Sequence, residues 1–162
     1  MKLKDIELTD SNHFIAMQYY GLIINRTYLV LFINNHLIGI VANGLVSVQS
    51  GGALASIITS KMSVDGDLLN PLSYLKDKHL KRVEHLNLLE DNIKKTNSSN
   101  FRINIKDIIS VDFDPSKKWG MGPYPHDGKI YLSTKDKKRE LIILGSQSGE
   151  KILELIQNDQ KR

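Results

Sequence analysis

The chain contains 162 residues, 41% of them hydrophobic and 25% charged, and this ordinary globular composition predicts a single domain over residues 1–162. A formal net charge of +4 is compatible with an acidic partner but does not require one. Because cysteine is absent, disulfides, thiolate metal sites and cysteine nucleophiles are excluded. We therefore expect a cytoplasmic protein, with a peripheral position at the membrane as the alternative.

The first region, residues 13–48, is rich in Ile, Leu, Val, Tyr and Phe, which predicts a meander of three strands. The predicted strands are residues 14–24, 27–33 and 36–48, with turns at Asn25-Arg26 and Asn34-Asn35 and with bulges or bends at Gly21, Gly39 and Gly44. The apolar runs are mixed instead of strictly alternating, so we expect both faces of this sheet to be covered.

The most apolar stretch of the chain, residues 28–48, is interrupted by polar side chains at Asn34, Asn35, His36 and Asn43. A membrane-spanning helix needs about 20 mostly uninterrupted apolar residues. The first six residues alternate charged with apolar side chains, where a secretory signal has a continuous apolar run. We therefore expect neither a transmembrane segment nor a signal peptide.

The middle region, residues 51–95, predicts a helical insertion. A short amphipathic helix is predicted at residues 53–62 after Gly51-Gly52, a pair better explained as a flexible linker than as a phosphate loop. Asn70 as N-cap and Pro71 at the first helical position predict another short helix. A longer helix is predicted to follow, with its polar face between Lys76 and Lys95.

The third region, residues 101–157, predicts further strands and a closing helix. Two alternating patterns, at residues 101–106 and 109–113, are separated by a turn or bulge at Asp107-Ile108. Residues 129–134 and 140–144 predict two more strands around the charged turn at residues 135–139. Ser148 is the predicted cap of an amphipathic helix with its buried stripe at Ile152, Leu153, Leu155 and Ile156.

This arrangement resembles the pleckstrin-homology-like (PH-like) superfamily, particularly small bacterial members and GRAM domains. The resemblance rests on YGLIINRTYLVLF at residues 20–32, IKDIISV at residues 105–111 and the helix at residues 148–157. It implies an α+β fold, with antiparallel strands in a PH-like barrel or sandwich, a C-terminal helix and a helical insertion in the middle. Lipid-binding members carry several Lys and Arg around their first hairpin. Here that turn offers Arg26 alone, so the resemblance does not extend to their phosphoinositide site.

The candidate binding site lies in residues 115–139, where seven basic and two acidic residues give a local surplus of +5. Trp119 lies within this stretch beside a Gly/Pro-rich run, a combination that suits an aromatic loop for an acidic surface, a base or a peptide. The predicted ligand-binding residues are Lys117, Lys118, Trp119, Tyr124, Lys129, Lys137, Lys138 and Arg139. The alternative is that Trp119 packs over the open end of the sheet and that the lysines are solvated turn residues.

No specific catalytic, metal or cofactor motif is present. Residues 145–149 resemble a nucleophile elbow, but Gln147 occupies the nucleophile position. His79 and His85 are six residues apart, so they do not have the i, i+4 spacing of a zinc helix, and His126-Asp127 has no converging partners. We therefore expect no metal and no cofactor.

The sequence thus favours a noncatalytic binding or adaptor domain that engages an acidic surface or a protein partner through the basic, tryptophan-containing loop. The expected partners are a protein or an anionic lipid surface. Two alternatives remain open: a nucleic-acid-binding protein that uses the same basic patch, and an enzyme with a site assembled from scattered residues. A homo-oligomer is also compatible with the apolar residues Leu54, Ile57 and Ile58 and with the hairpin at residues 28–48.

Overall fold

The computed structural model describes residues 1–20, 24–44, 64, 66–122 and 124–161. Seven antiparallel strands form one sheet in the order β4-β3-β2-β1-β7-β6-β5. The strands are β1 (His13–Tyr20), β2 (Ile24–Ile33), β3 (His36–Asn43), β4 (Phe101–Asn104), β5 (Ile108–Asp114), β6 (His126–Thr134) and β7 (Lys138–Leu144). The sheet is curled into a half-barrel, and the predicted α+β class with a C-terminal helix is confirmed.

The curl follows from one short connection. Strands β4 and β5 lie at opposite edges of the sheet, yet only the 3-10 turn Ile105–Asp107 joins them. Three residues span only about 10 Å even when extended, so the two edges must approach each other at this turn. The predicted break between these strands is therefore confirmed, and Ile105 is buried where the edges meet.

Strands β1, β2 and β3 form the predicted meander, and residues 21–23, with the predicted bend at Gly21, and residues 45–48 of that prediction lie outside the described residues. Asn34 and Asn35 make the β2–β3 turn with φ values of 45° and 61°, in the left-handed region that asparagine tolerates better than most residues. The predicted turn at Asn25-Arg26 is wrong. Both residues lie inside β2, where they pair with Tyr19 and Gln18, because the β1–β2 ladder continues to the pair Tyr20 and Ile24.

Gly39 is not a bulge, contrary to the prediction. It pairs regularly with Val30 of β2 and with Phe101 of β4. A Cβ atom at this position would lie 2.1 Å from Phe101 Cε1, so glycine is needed to let the Phe101 ring lie against the strand. The register shift in this hairpin falls between Thr27 and Tyr28 instead.

Both faces of the first part of the sheet are buried, as predicted. On one face, strand residues such as Ile15, Leu29 and Ile40 pack against Tyr74 and Leu88 from the segment that precedes β4; we call this the insert-side core. The opposite face packs against helix α2 (Gly149–Gln160) and forms the helix-side core. This core joins side chains from every strand to the helix residues Ile152 and Ile156.

Helix α2 begins as predicted. The Ser148 hydroxyl accepts a hydrogen bond from the Lys151 N–H at 3.3 Å, which caps the helix. Ile152 and Ile156 are buried, and Leu153 and Leu155 are partly buried at the edges of the predicted stripe. None of the helices in the described ranges is long and apolar enough to cross a membrane.

The middle region differs most from the prediction. The Asn70 cap and Pro71 start a 3-10 helix, Pro71–Tyr74, and helix α1 (Asp77–Leu80) follows, but the longer helix predicted up to Lys95 is wrong. Turns and the 3-10 helix Ile93–Lys95 take its place. The predicted helix at residues 53–62 lies outside the described residues.

Local hydrogen bonds explain the missing helix. The side chains of Asn87 and Asn92 accept backbone N–H groups from Leu89 and Lys94, at 3.3 and 3.2 Å, and so compete with helical hydrogen bonding. The segment is held to the sheet by Val83, Leu88 and Ile93 in the insert-side core. Their spacing of five residues suits a chain of turns better than one helix face.

Candidate functional site

The loop between β5 and β6, residues 115–125, carries the predicted tryptophan; we call it the Trp loop, of which Pro123 lies outside the described residues. Trp119 is 95% exposed, so the alternative that it packs over the sheet is wrong. Gly120 and Gly122 have φ values of 84° and 56°, which few other residues adopt. These turns direct Met121 into the insert-side core and leave the indole in solvent.

His126 at the start of β6 holds the Trp loop together. Its Nε2 accepts a hydrogen bond from the Lys118 backbone N–H at 2.9 Å, so its Nδ1 carries the proton and donates to the Tyr124 carbonyl at 3.0 Å. The Lys117 ammonium also donates to the His126 carbonyl. In the sequence, His126 stands out only as part of His126-Asp127, a pair without converging partners, so its role in positioning the loop was missed.

Lys118 is paired and not freely available. Its Nζ lies 2.6 Å from Glu140 Oε1 on β7, and the Tyr131 hydroxyl donates to the other oxygen of Glu140 at 3.2 Å. The same ammonium lies 5.8 Å from the centre of the Tyr19 ring. Two lysines immediately precede Trp119, and Glu140 therefore neutralises one of them, Lys118.

Lys129 is only 7% exposed and holds the start of the Trp loop. Its Nζ lies 2.8 Å from Asp114 Oδ2 and donates to Ser116 Oγ at 2.9 Å. The hydrogen bond from Lys129, with further ones from Ser116, lowers the pKa of Asp114 to about 2, and the same ion pair raises the pKa of Lys129. Its ammonium is thus engaged inside the protein.

Two further predicted site residues are buried. The Tyr124 ring packs against Tyr74 in the insert-side core with ring centres 6.0 Å apart, and this burial raises the pKa of Tyr124. Arg139 lies on the helix-side face of β7, with its Cζ 3.9 Å from the centre of the Phe101 ring. Neither side chain contributes to the surface around Trp119.

Lys137 and Lys138 are exposed, but they do not lie beside the Trp loop. They lie at the β6–β7 turn, together with Lys135, whereas the Trp loop enters β6 at its first residue. Strand β6 has nine residues, so the two ends lie roughly 25 Å apart at ~3.3 Å per residue. The basic stretch seen in the sequence therefore divides into the Trp loop and the β6–β7 turn.

An open depression of about 670 Å³ separates the Trp loop from the start of helix α2, and Lys117 lies on its rim. The Asp127 carboxylate in its wall accepts the Gly149 N–H at 2.8 Å, and Ser148 accepts the Lys151 N–H. These two side chains already occupy backbone donors of the first helical turn. The depression is therefore better suited to extending a contact surface than to holding an anion.

Within the described ranges, no group of three or more His, Asp or Glu side chains is arranged to hold a metal ion. Three ionisable side chains in or beside the Trp loop hold its conformation: His126 through the backbone, Lys118 through Glu140 and Lys129 through Asp114. The arrangement can present one exposed indole on a fixed support.

Comparisons with protein-family models, with curated proteins and with solved structures found no match to this chain.

Proposed function

We propose that the chain is a noncatalytic binding module of the PH-like kind, which engages an anionic lipid surface through Trp119 and Lys117 of the Trp loop. The observation that carries the proposal is the 95% exposure of Trp119. Tryptophan is usually among the more buried residues, and an isolated indole in solvent exposes much apolar area. Insertion at a membrane interface would remove that area from water while the indole N–H stays near polar groups.

The support of the loop favours binding. His126 fixes the loop from one side, and the pair Lys129 and Asp114 fixes its start, so the loop loses little conformational freedom when Trp119 is buried in a partner. Lys117 is exposed beside the indole and adds attraction to anionic headgroups, about 1 kcal/mol for a lysine near such a surface. One aromatic and one lysine make weak, reversible binding the expected behaviour.

The architecture supports the PH-like interpretation. A curled sheet of seven antiparallel strands ends in a single amphipathic helix that packs on one of its faces, as the resemblance implied. The segment before β4 is a departure, because it covers the other face of β1 to β3 with turns and short helices. Basic residues around Trp119, and not the first hairpin, are the proposed contact.

The test is flotation of the purified protein with vesicles of phosphatidylcholine alone or mixed with phosphatidylserine, at low and at physiological salt. We expect flotation only with the anionic vesicles, and a roughly tenfold loss of affinity in Trp119→Ala, equivalent to ~1.4 kcal/mol. The matched control is Ile109→Ala, because Ile109 on β5 is 72% exposed but lies outside the loop. Its affinity should be unchanged.

Two results would contradict the proposal. The first is the absence of flotation with anionic vesicles at low salt. That result would exclude the lipid surface and leave a protein as the expected partner of the exposed indole. The second is equal loss of affinity in the Trp119 and Ile109 variants, which would show that any exposed apolar side chain serves.

A further inference from the structure

Arg139, the first buried residue of β7, is an unusual feature of the helix-side face. Its side chain is 7% exposed although arginine keeps its positive charge at any pH relevant to proteins. Buried charges are normally paired with an opposite charge. Arg139, Leu141 and Ile143 lie on the same face of β7, because they are two residues apart along the strand. Leu141 and Ile143 belong to the helix-side core, so the guanidinium of Arg139 also points inward.

The contacts of Arg139 are with neutral groups. Its Nη1 donates to Gln18 Oε1 at 2.8 Å, and its Cζ lies 3.9 Å from the centre of the Phe101 ring. Within the described part of the chain, no carboxylate lies within 4.0 Å of its nitrogens. A guanidinium has five N–H donors, and Gln18 satisfies one of them, so the cation retains donors for another acceptor.

A second guanidinium lies at the same end of the sheet. The Arg26 Cζ is 5.0 Å from the centre of the Tyr20 ring, and the Tyr20 hydroxyl is hydrogen-bonded to the Tyr28 hydroxyl. Burial raises the pKa of Tyr28, whereas both Arg139 and Arg26 act to lower it. Arg26 is the ladder partner of Gln18, the residue to which Arg139 donates, so the two arginines adjoin one side chain.

The adjoining turn strengthens the positive field. Lys135 and Lys137 are exposed in the β6–β7 turn, and Lys138 is exposed at the first position of β7. Asp136 is the one acidic residue at positions 135–138. Clustered charge of one sign raises the local concentration of ligands of the opposite sign.

We propose that Arg139 and Arg26, with the side-chain amide of Gln18, form a binding site for a small oxyanion, a carboxylate or phosphate group. The planar fork of a guanidinium matches two oxygens of such a group. This site is separate from the Trp loop and does not depend on the proposed lipid contact.

The contrasting explanation is that Arg139 only supports the fold, with the Phe101 ring and Gln18 as sufficient partners. Thermal unfolding in inorganic phosphate or in acetate, each compared with chloride at equal ionic strength, separates the two. We expect Tm to rise by about 3 °C when the free anion concentration is tenfold above its Kd, and to rise further with the logarithm of the concentration. A response no larger than that to chloride in both phosphate and acetate would overturn the proposal.

Two variants locate the response. Arg139→Met keeps an unbranched side chain against Phe101 and removes the charge, and it should abolish the phosphate-dependent or acetate-dependent rise in Tm. Lys138→Gln removes a neighbouring exposed charge and should retain most of the rise, because Lys138, the first residue of β7, precedes Arg139 directly and therefore lies on the opposite face of the strand. Retention of the full response in Arg139→Met, or equal loss in both variants, would overturn the assignment.

A measurement on the unaltered protein covers the case in which Arg139→Met does not fold. The Nε–H signals of the arginines are followed by nitrogen-15 NMR during titration with phosphate and with acetate. We expect a saturable shift for Arg139, whereas Arg102, whose guanidinium already donates to the Leu88 carbonyl at 3.1 Å, serves as the internal control. An unmoved Arg139 signal in both titrations would overturn the proposal.

Discussion

The two ends of β6 have similar basic sequences but use their charges in opposite ways. At the Trp loop, Lys118 and Lys129 are held by Glu140 and Asp114, and the aromatic side chain faces solvent. At the β6–β7 turn the lysines face solvent, and the arginine is buried against an aromatic ring. This contrast shows that the number of lysines in a stretch does not determine which charges are available to a ligand. Strand alternation and cross-strand partners determine it.

The largest effect expected at the Trp loop comes from His126→Ala. This change leaves the Lys118 N–H and the Tyr124 carbonyl without their side-chain partner, which should lower the free energy of unfolding by ~2 kcal/mol. It should also free the loop, seen as lower fluorescence anisotropy of Trp119, the one tryptophan of the chain. Chemical denaturation and anisotropy measure the two effects.

The control for this prediction is His85→Ala, because the His85 side chain is 70% exposed and its ion-pair partner among the described residues is the neighbouring Glu84. Its stability should be within a few tenths of a kcal/mol of the parent protein. Equal stability of the two variants would show that His126 does not hold the loop.

A smaller effect is expected from Glu140→Gln, which removes the carboxylate partner of Lys118. The Trp loop would then carry a lysine without an ion-pair partner among the described residues, like the lysines at the β6–β7 turn. The released ammonium should strengthen binding to anionic vesicles about three- to fivefold, in line with ~1 kcal/mol for a lysine at the surface. Flotation at physiological salt measures the change. Asp136→Asn is the matched control, since it changes net charge equally at the other end of β6 and should alter binding less.

The smallest effect concerns the pH dependence at the start of the loop. Asp114 has its pKa lowered from 3.8 to about 2, chiefly by the hydrogen bond from Lys129, so the pair stabilises the fold above pH ~4 and loses this contribution as the pH falls towards 2. The stability difference between the parent protein and Asp114→Asn should therefore shrink over that interval. Urea unfolding at several pH values measures it, with Asp112→Asn as control. A constant difference from pH 5 to pH 2 would contradict the assignment.

The sequence predicted those parts of the fold that local chemistry determines. The left-handed Asn34-Asn35 turn and the Ser148 cap each depend on neighbouring residues, and each is present. The alternation predicted for β5 holds at Val111 and Phe113, whereas Ile109 is 72% exposed beside a register shift. The segment at residues 76–95 could not be predicted in the same way, because its turns depend on Asn87 and Asn92 and on anchoring in the insert-side core.

The candidate site was predictable only in outline. Trp119 and its Gly/Pro setting were visible in the sequence, but the exposure of the indole was left open, and the carboxylate that each lysine meets could not be predicted. Lys118 meets Glu140 across 22 residues of sequence, and Lys129 meets Asp114 through the β5–β6 register. Arg139 could be recognised as inward-facing only once the phase of β7 was fixed by its pairing with β1.

The position of β1 in the middle of the sheet affects how the chain can fold while it is being synthesised. Met17 pairs with Thr27 of β2 on one side and with Ile142 of β7 on the other, and the second partner is made more than 100 residues later. Until then, the apolar edge that includes Ile15 and Met17 has no strand beside it. At about 5–20 residues per second, a ribosome leaves this edge unpaired for roughly 6–25 seconds, the interval in which a nascent chain depends most on chaperones.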